Sequence, residues 1–234
     1  MSTILVTGAS RGIGAATTRR LAGQGHTVLA GARDAEALGR RVRDDPTLAG
    51  LDVRPLALDV TEDDSVAAAA RQVEESLGSL DVLVNNAGVP GTWAPAAEVG
   101  PADFADVLTT NLLGPVRVTQ AFLPLLLRGD RPRLVMVSSG MGSLRLQSTD
   151  PVYADIAHLP YPASKAALNM LVVQYAKGLP QVLVTAVDPG LTATEFTDHA
   201  GHSVEEGSDA VVAAALDTEG PSGRFLDREG PTPW

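Results

Sequence analysis

Thr7-Gly8-Ala9-Ser10-Arg11-Gly12-Ile13-Gly14 follows the short apolar run Ile4 to Thr7 and opens a segment of helical periodicity, Gly12 to Ala22. Glycines at 8, 12 and 14 leave little Cβ bulk in the turn. A backbone so bared lets a pyrophosphate approach, with its charge at a helix N-terminus. The same glycines would serve a tight strand-to-helix turn with no ligand, so it is the strand before and the helix after that give the spacing its weight. Outward from this turn the alternation continues. Strands are expected at His26 to Ala30, Arg54 to Leu58, Leu80 to Val84, Leu134 to Ser138 and Val182 to Val187. Helical patterns lie between them over Ala35 to Arg43, Pro101 to Thr109, Leu112 to Leu127 and Pro162 to Leu179, with one more near Ala210 to Leu216. A helix ending about Leu77 is expected to begin at Thr61 as N-cap, with Asp64 at the capping-box position. Continuous apolar strands separated by helices predict an α/β fold whose parallel sheet is covered on both faces. Right-handed crossovers close it as a doubly wound, three-layer α/β/α sheet. No linker or internal repeat divides the chain, so one domain over residues 1–234 is expected.

The 234 residues are 44% hydrophobic and 20% charged, the balance of a globular chain. The absence of cysteine excludes disulfides, thiolate zinc sites and a cysteine nucleophile. A net charge of −10 disfavours binding to nucleic-acid backbone or anionic membrane. The first residues carry no basic, apolar leader pattern, and the longest apolar run, near Phe122 to Leu127, is too short to span a bilayer. A cytoplasmic protein is expected.

In a doubly wound sheet, ligands bind beyond the carboxyl ends of the strands. At the second strand stands Gly31-Ala32-Arg33-Asp34. An acidic residue at that tip would bind the ribose hydroxyls of NAD; Arg33, with Arg11 in the glycine turn, instead suits a 2′-phosphate. NADP(H) is therefore the preferred cofactor, with NAD(H) open through Asp34. After the fourth strand comes Asn85-Asn86-Ala87-Gly88, a turn signal when taken alone. Tyr161-Pro162-Ala163-Ser164-Lys165 sets a phenol and an ammonium on one helix face, with Pro162 tolerable in the first turn. A neighbouring ammonium favours the phenolate, which makes the pair a workable general acid and base for carbonyl–alcohol chemistry.

In this order, with Asp59-Val60, Asn111, Ser138-Ser139 and Pro189-Gly190 followed by Thr194, the sequence resembles the short-chain dehydrogenase/reductase family over about Thr3 to Gly190. Ser138-Ser-Gly-Met-Gly142 with Tyr161 to Lys165 is most similar to carbonyl-reductase-like members. The resemblance implies a Rossmann-type fold and a set of roles. Tyr161 protonates the substrate oxygen as hydride leaves the nicotinamide. Lys165 lowers the tyrosine pKa and binds the nicotinamide ribose. Ser139 holds the carbonyl, and Asn111 holds a water joining Lys165 to a proton relay. Gly8, Ser10, Arg11, Gly12, Ile13, Gly14, Arg33, Asp59, Val60, Asn85, Ala87 and Gly88 take the adenosine and pyrophosphate side. Pro189, Gly190, Thr192 and Thr194 approach the nicotinamide. Met141 joins Ser139 and Tyr161 on the substrate side; Trp93, just after the Asn-Asn-Ala-Gly turn, reads as a pocket wall or equally as a packing or interface residue. Members of the family commonly form dimers or tetramers through the helices flanking the sheet, and the apolar pattern of Leu112 to Leu127 suits such a homo-oligomer.

One departure stands out. Ser139 lies 22 positions before Tyr161, farther than is common in the family. Ser148 stands closer, but it does not follow a strand, so Ser139 is preferred. The extra stretch, about 140–160, is expected to shape substrate access, with a small lid at about 191–208. His199 and His202 beside Glu195 and Asp198 read as surface residues rather than metal ligands, and His26 and His158 stand alone. No Gly-x-Ser-x-Gly elbow supports a hydrolase. The small-molecule chemistry expected is NADPH-dependent carbonyl reduction. An NAD-linked alcohol dehydrogenase and a catalytically silent dinucleotide sensor are the alternatives.

Overall fold

The computed structural model describes residues 1–234. Seven strands form one parallel sheet: β1 (Thr3–Thr7), β2 (Thr27–Ala32), β3 (Val53–Ala57), β4 (Val82–Asn85), β5 (Arg133–Val137), β6 (Leu183–Val187) and β7 (Arg224–Leu226), in the order β3-β2-β1-β4-β5-β6-β7. Side chains alternate across the pleat, so Ile4 and Val6 enter one core while Leu5 enters the other. The first core packs under α1 (Gly12–Gly23), α2 (Ala35–Asp44) and α9 (Asp209–Leu216). The second packs under α3 (Asp63–Leu77), α5 (Gly114–Leu126) and α7 (Pro160–Gly178), with Phe122 fully buried at its centre. The expected doubly wound α/β/α sheet is the observed one. The strand order reverses between β1 and β4, and the crevice for a ligand opens at that switch point.

Four local features differ from expectation. The three-residue β7 is too short to show a period, yet it pairs in parallel with β6, Thr185 facing Arg224. Thr61 does not cap α3; its hydroxyl and its N–H both go to Asp59 Oδ1, at 2.7 and 3.0 Å, and Glu62 precedes the helix. Between α4 (Pro101–Leu108) and α5 the chain runs on through a single π-helical turn, Thr109–Leu113, which turns Asn111 fully inward. The stretch before Tyr161 is not open loop. It folds as α6 (Leu144–Thr149), capped by Ser143, and a 3-10 turn, Pro151–Tyr153, capped by Asp150. A last short helix, α8 (Val204–Gly207), carries a Ser203–Glu206 capping box beside α1. No helix is long and apolar enough to cross a membrane.

Candidate active site

The glycine turn is held by the end of β4. Thr7 Oγ1 accepts the N–H groups of Asn86 and Ala87 at 2.9 and 3.0 Å, and Asn86 Nδ2 donates to the Thr7 carbonyl at 2.8 Å. Gly8 sits at φ +64°, where a Cβ would stand 2.9 Å from Ala87 Cα, so only glycine fits. Ile13 packs on the core beneath, and Gly12 faces the side chain of Thr194. Asn85 was expected to face a cofactor, but its amide enters the core and donates to Thr119 Oγ1 at 3.1 Å. Its neighbour Asn86 is the residue that shapes the turn.

A hollow of about 180 Å³ at the end of β2 is lined by Ser10, Ala32, Arg33, Asp34 and Arg41, among others. Arg41 Nη1 donates to the Ser10 carbonyl at 2.7 Å. Arg11 was expected beside Arg33; its guanidinium instead pairs with Glu195 at 2.5 Å, and the second guanidinium of the hollow is that of Arg41. Asp34 is the α2 N-cap, its Oδ1 accepting from the Ala37 N–H at 2.8 Å. Across the crevice, burial pushes the Asp59 carboxyl up, but the Thr61 donors outweigh it and hold the group below its ordinary value. Val60 is buried beside it, against Gly114.

At the ends of β5 and β6 the candidate catalytic groups meet. The Ser139 and Tyr161 side chains face each other, and Ser139 Oγ accepts the Met141 N–H at 3.1 Å, with Met141 half-buried beside them. Ser148 goes elsewhere, donating to the Leu144 carbonyl. Lys165 Nζ donates to the Val137 carbonyl at 2.8 Å and lies 5.6 Å from the Tyr161 ring centre. Burial lowers the Lys165 ammonium to about 8, opposed by the Asp188 charge. Burial raises the Tyr161 phenol, with the facing Ser139 hydroxyl working against it. The lowering by Lys165 that the sequence implies is not among the influences on Tyr161 in this structure, where burial dominates. Asn111 is locked on both sides. Its amide exchanges hydrogen bonds with the Val89 N–H and carbonyl at 2.8 and 2.9 Å and donates to Ser164 Oγ at 3.1 Å. A Cβ on Gly88 would face both Asn111 Oδ1 and Lys165 Nζ, so these groups meet at that turn, with Ala87 just before it.

Four aromatic rings line the approach. Trp93 stacks on His158 at 4.0 Å, His158 lies parallel to Tyr161 at 6.1 Å, and Phe196 meets Tyr161 edge-on at 5.4 Å. Trp93 stands at the outer end of this row, stacked on His158 and largely exposed. His158 was missed. It is 5% exposed, and burial lowers its pKa while the Thr92 backbone faces its ring. Of the expected nicotinamide contacts, Pro189 and Gly190 form the rim, but Thr192 is buried, and its hydroxyl donates to the carbonyls of Pro189 and Gly190, both at 3.2 Å.

A glycine turn at the switch point, with phenol, ammonium and hydroxyl gathered at the next strand ends, defines a nicotinamide-dependent oxidoreductase. The chain belongs to the short chain dehydrogenase family, whose model matches residues 2–205. It is 37% identical to "Short-chain dehydrogenase anuI" of Penicillium roqueforti over 240 aligned residues, covering 97% of this chain and 94% of that one. It is 40% identical to "C-signal" of Myxococcus xanthus over 67% of this chain and 94% of the other. Among solved structures it superposes on an NADPH-bound carbonyl reductase from chicken fatty liver, with a TM-score of 0.84, 28% identity and coverage of 100% and 99%. A carbonyl reductase from Pseudomonas aeruginosa gives 0.80 and 30%, with both chains fully covered. The protein is an NAD(P)-dependent oxidoreductase of small molecules.

Proposed function

We propose that this protein reduces an aldehyde or ketone with NADPH. The observation that carries the reading is Tyr161, buried beside Ser139 and Lys165, with burial pushing its phenol up. A phenol kept protonated suits proton donation, the direction that carbonyl reduction requires. The bound dinucleotide supplies the hydride. Ser139 hydrogen-bonds the carbonyl oxygen and steadies the charge that develops there. Tyr161 gives that oxygen its proton. Lys165 binds the nicotinamide ribose, and its ammonium supports the tyrosine once the phenol has lost its proton. Asn111 keeps the turn through Gly88 and Val89 in register with α7, so that a water can join Lys165 to solvent. Arg33 and Arg41 over the hollow at Ser10 support NADPH over NADH, because two guanidiniums match a 2′-phosphate. Following NADPH absorbance against a panel of aldehydes and ketones tests the reading: Tyr161→Phe should lower kcat about 10²- to 10⁴-fold with cofactor affinity kept. Equal turnover in wild type and variant would sink it.

The same reading includes a homo-oligomer. Leu113 and Leu127 at the ends of α5 and Met170 on α7 are large apolar side chains left 49%, 42% and 57% exposed, on the helices that flank the sheet. Light scattering should give a particle at least twice the 24.2 kDa chain mass at micromolar concentration; the chain mass itself would refute it.

A further inference from the structure

Asp188 follows β6 and belongs to none of the groups assigned above. It is half-buried, accepts the Gly190 N–H on Oδ1 at 2.9 Å and takes the Gly140 N–H as well. Its Oδ2 points at Gly140, the residue after Ser139, and stands 2.7 Å from where a Cβ there would be. The hydroxyl of Tyr153, from the 3-10 turn before α7, reaches the same spot. Two oxygens thus converge beside the serine that holds the carbonyl, and the space they fill requires glycine at 140. No arginine, lysine or histidine pairs with Asp188, although ten ion pairs form elsewhere. Lys165, the cation that acts on it, spends its ammonium on the Val137 carbonyl.

A carboxylate held partly out of water without a cation is costly unless a ligand supplies one. We propose that Asp188 and Tyr153 form a subsite for a protonated amine carried by the carbonyl substrate. This inference rests on the reductase reading above. Asp188 Oδ2 accepts the ammonium N–H, and the Tyr153 oxygen accepts a second donor or faces the amine's alkyl groups. Burial, with the Asp188 and Asp150 charges, keeps the Tyr153 hydroxyl un-ionised, pushed up to about 12. The net charge of −10 concentrates cations at the surface.

The test pairs 3-(dimethylamino)propiophenone with its uncharged carbon isostere, 4-methylvalerophenone, at pH 7. The wild type should show the higher kcat/KM for the amine, and Asp188→Asn should lower the amine-to-isostere ratio about tenfold or more, the size of a charge-assisted hydrogen bond. An unchanged ratio overturns the subsite. If Asp188 acted only through Lys165, both ketones would slow together, which also overturns it. Should Asp188→Asn fail to fold, Tyr153→Phe, which loses one hydroxyl, must still lower the ratio. Should the wild type reduce neither ketone, the reductase reading is judged separately, failing only if nothing on the aldehyde and ketone panel is reduced. Calorimetry of the aminoketone with the NADP⁺-loaded protein then decides: weaker binding in Asp188→Asn supports the subsite, and equal binding ends it.

Discussion

The two sides of the crevice are built by different means. On the adenosine side the contacts are made by backbone and by short polar side chains locked onto it. Thr7 holds the N–H groups of Asn86 and Ala87, Asn86 holds the Thr7 carbonyl, and Arg41 holds that of Ser10. On the substrate side the catalytic groups are pinned to backbone too, Lys165 to the Val137 carbonyl and Asn111 to Val89, but the surrounding walls meet side chain to side chain: Trp93 on His158 and Phe196 on Tyr161. Backbone contacts are fixed as soon as the strands pair. Side-chain contacts depend on two short helices and a lid, and they change with single substitutions. The first side therefore reads a constant ligand, and the second holds what distinguishes one substrate from another.

The largest effect expected from this contrast is at the hollow beside Ser10. Arg33→Ala and Arg41→Ala should each weaken NADPH about tenfold or more, since charged hydrogen bonds contribute about 1.5–3 kcal/mol. The double variant should approach the loss of both, with NADH affinity little changed. Fluorescence titration of both dinucleotides measures this. A selective loss on Arg11→Ala but not on Arg41→Ala would mean that Arg11 leaves Glu195 to take the phosphate.

The contrast also explains what could be read in advance. The glycine turn, Tyr161 with Lys165, and Ser139 over Ser148 were legible because each is fixed by local spacing or by following a strand. Asn85 was misread, although the pleat settles it: it shares parity with Leu83, which faces the α5 layer, so its amide must enter the core toward Thr119. Arg41 was readable too. With Asp34 capping α2, Ala37 and Arg41 fall on one helix face above the hollow. No such rule gives His158 or Tyr153. Their places depend on how α6 and its 3-10 turn fold back against the Ser139 segment, which is a matter of tertiary packing without a period.

Lys165 stands where the two sides join, facing Gly88 on one and Val137 on the other, and its pH dependence gives a check of two signs. Its folded value near 8 lies below the ordinary 10.5, so raising pH through 8 removes the ammonium in the native state first. The kcat/KM for NADPH should fall about tenfold per pH unit above 8, because this ratio reports the ionisations of the cofactor-free enzyme. Between 8 and 10.5 the unfolded chain binds the extra proton, so this group's contribution to stability should rise over the window in which activity declines. Rate profiles and denaturant midpoints, measured over the same pH range, separate the two. Parallel decline in both would assign the activity loss to unfolding instead.

The smallest effect lies in the lid. Arg11 and Glu195 tie the glycine turn to the segment bearing Phe196, and both side chains are about two-thirds exposed, at 67% and 64%. An ion pair so exposed contributes about 1 kcal/mol or less and is screened by salt. Glu195→Gln should leave the melting temperature within a degree or two and change KM for ketone by only a few-fold. Its signature is the salt dependence: wild-type KM should drift with ionic strength, and the variant's should drift less. Further along, α8 and α9 are tied to α1 more firmly. Arg20 donates to the Glu205 carbonyl and to Ser208 Oγ, both at 2.7 Å, and pairs with Asp209 at 2.8 Å. The segment is therefore tied firmly at α8 and α9, while near Phe196 its ties are the exposed Arg11 pair and the Phe196–Tyr161 ring contact. If Glu195→Gln flattens the salt response of KM while kcat stays constant, the near end of the lid moves for substrate alone. If kcat falls instead, the lid also sets the pace of release, and the substrate side governs turnover as well as selection.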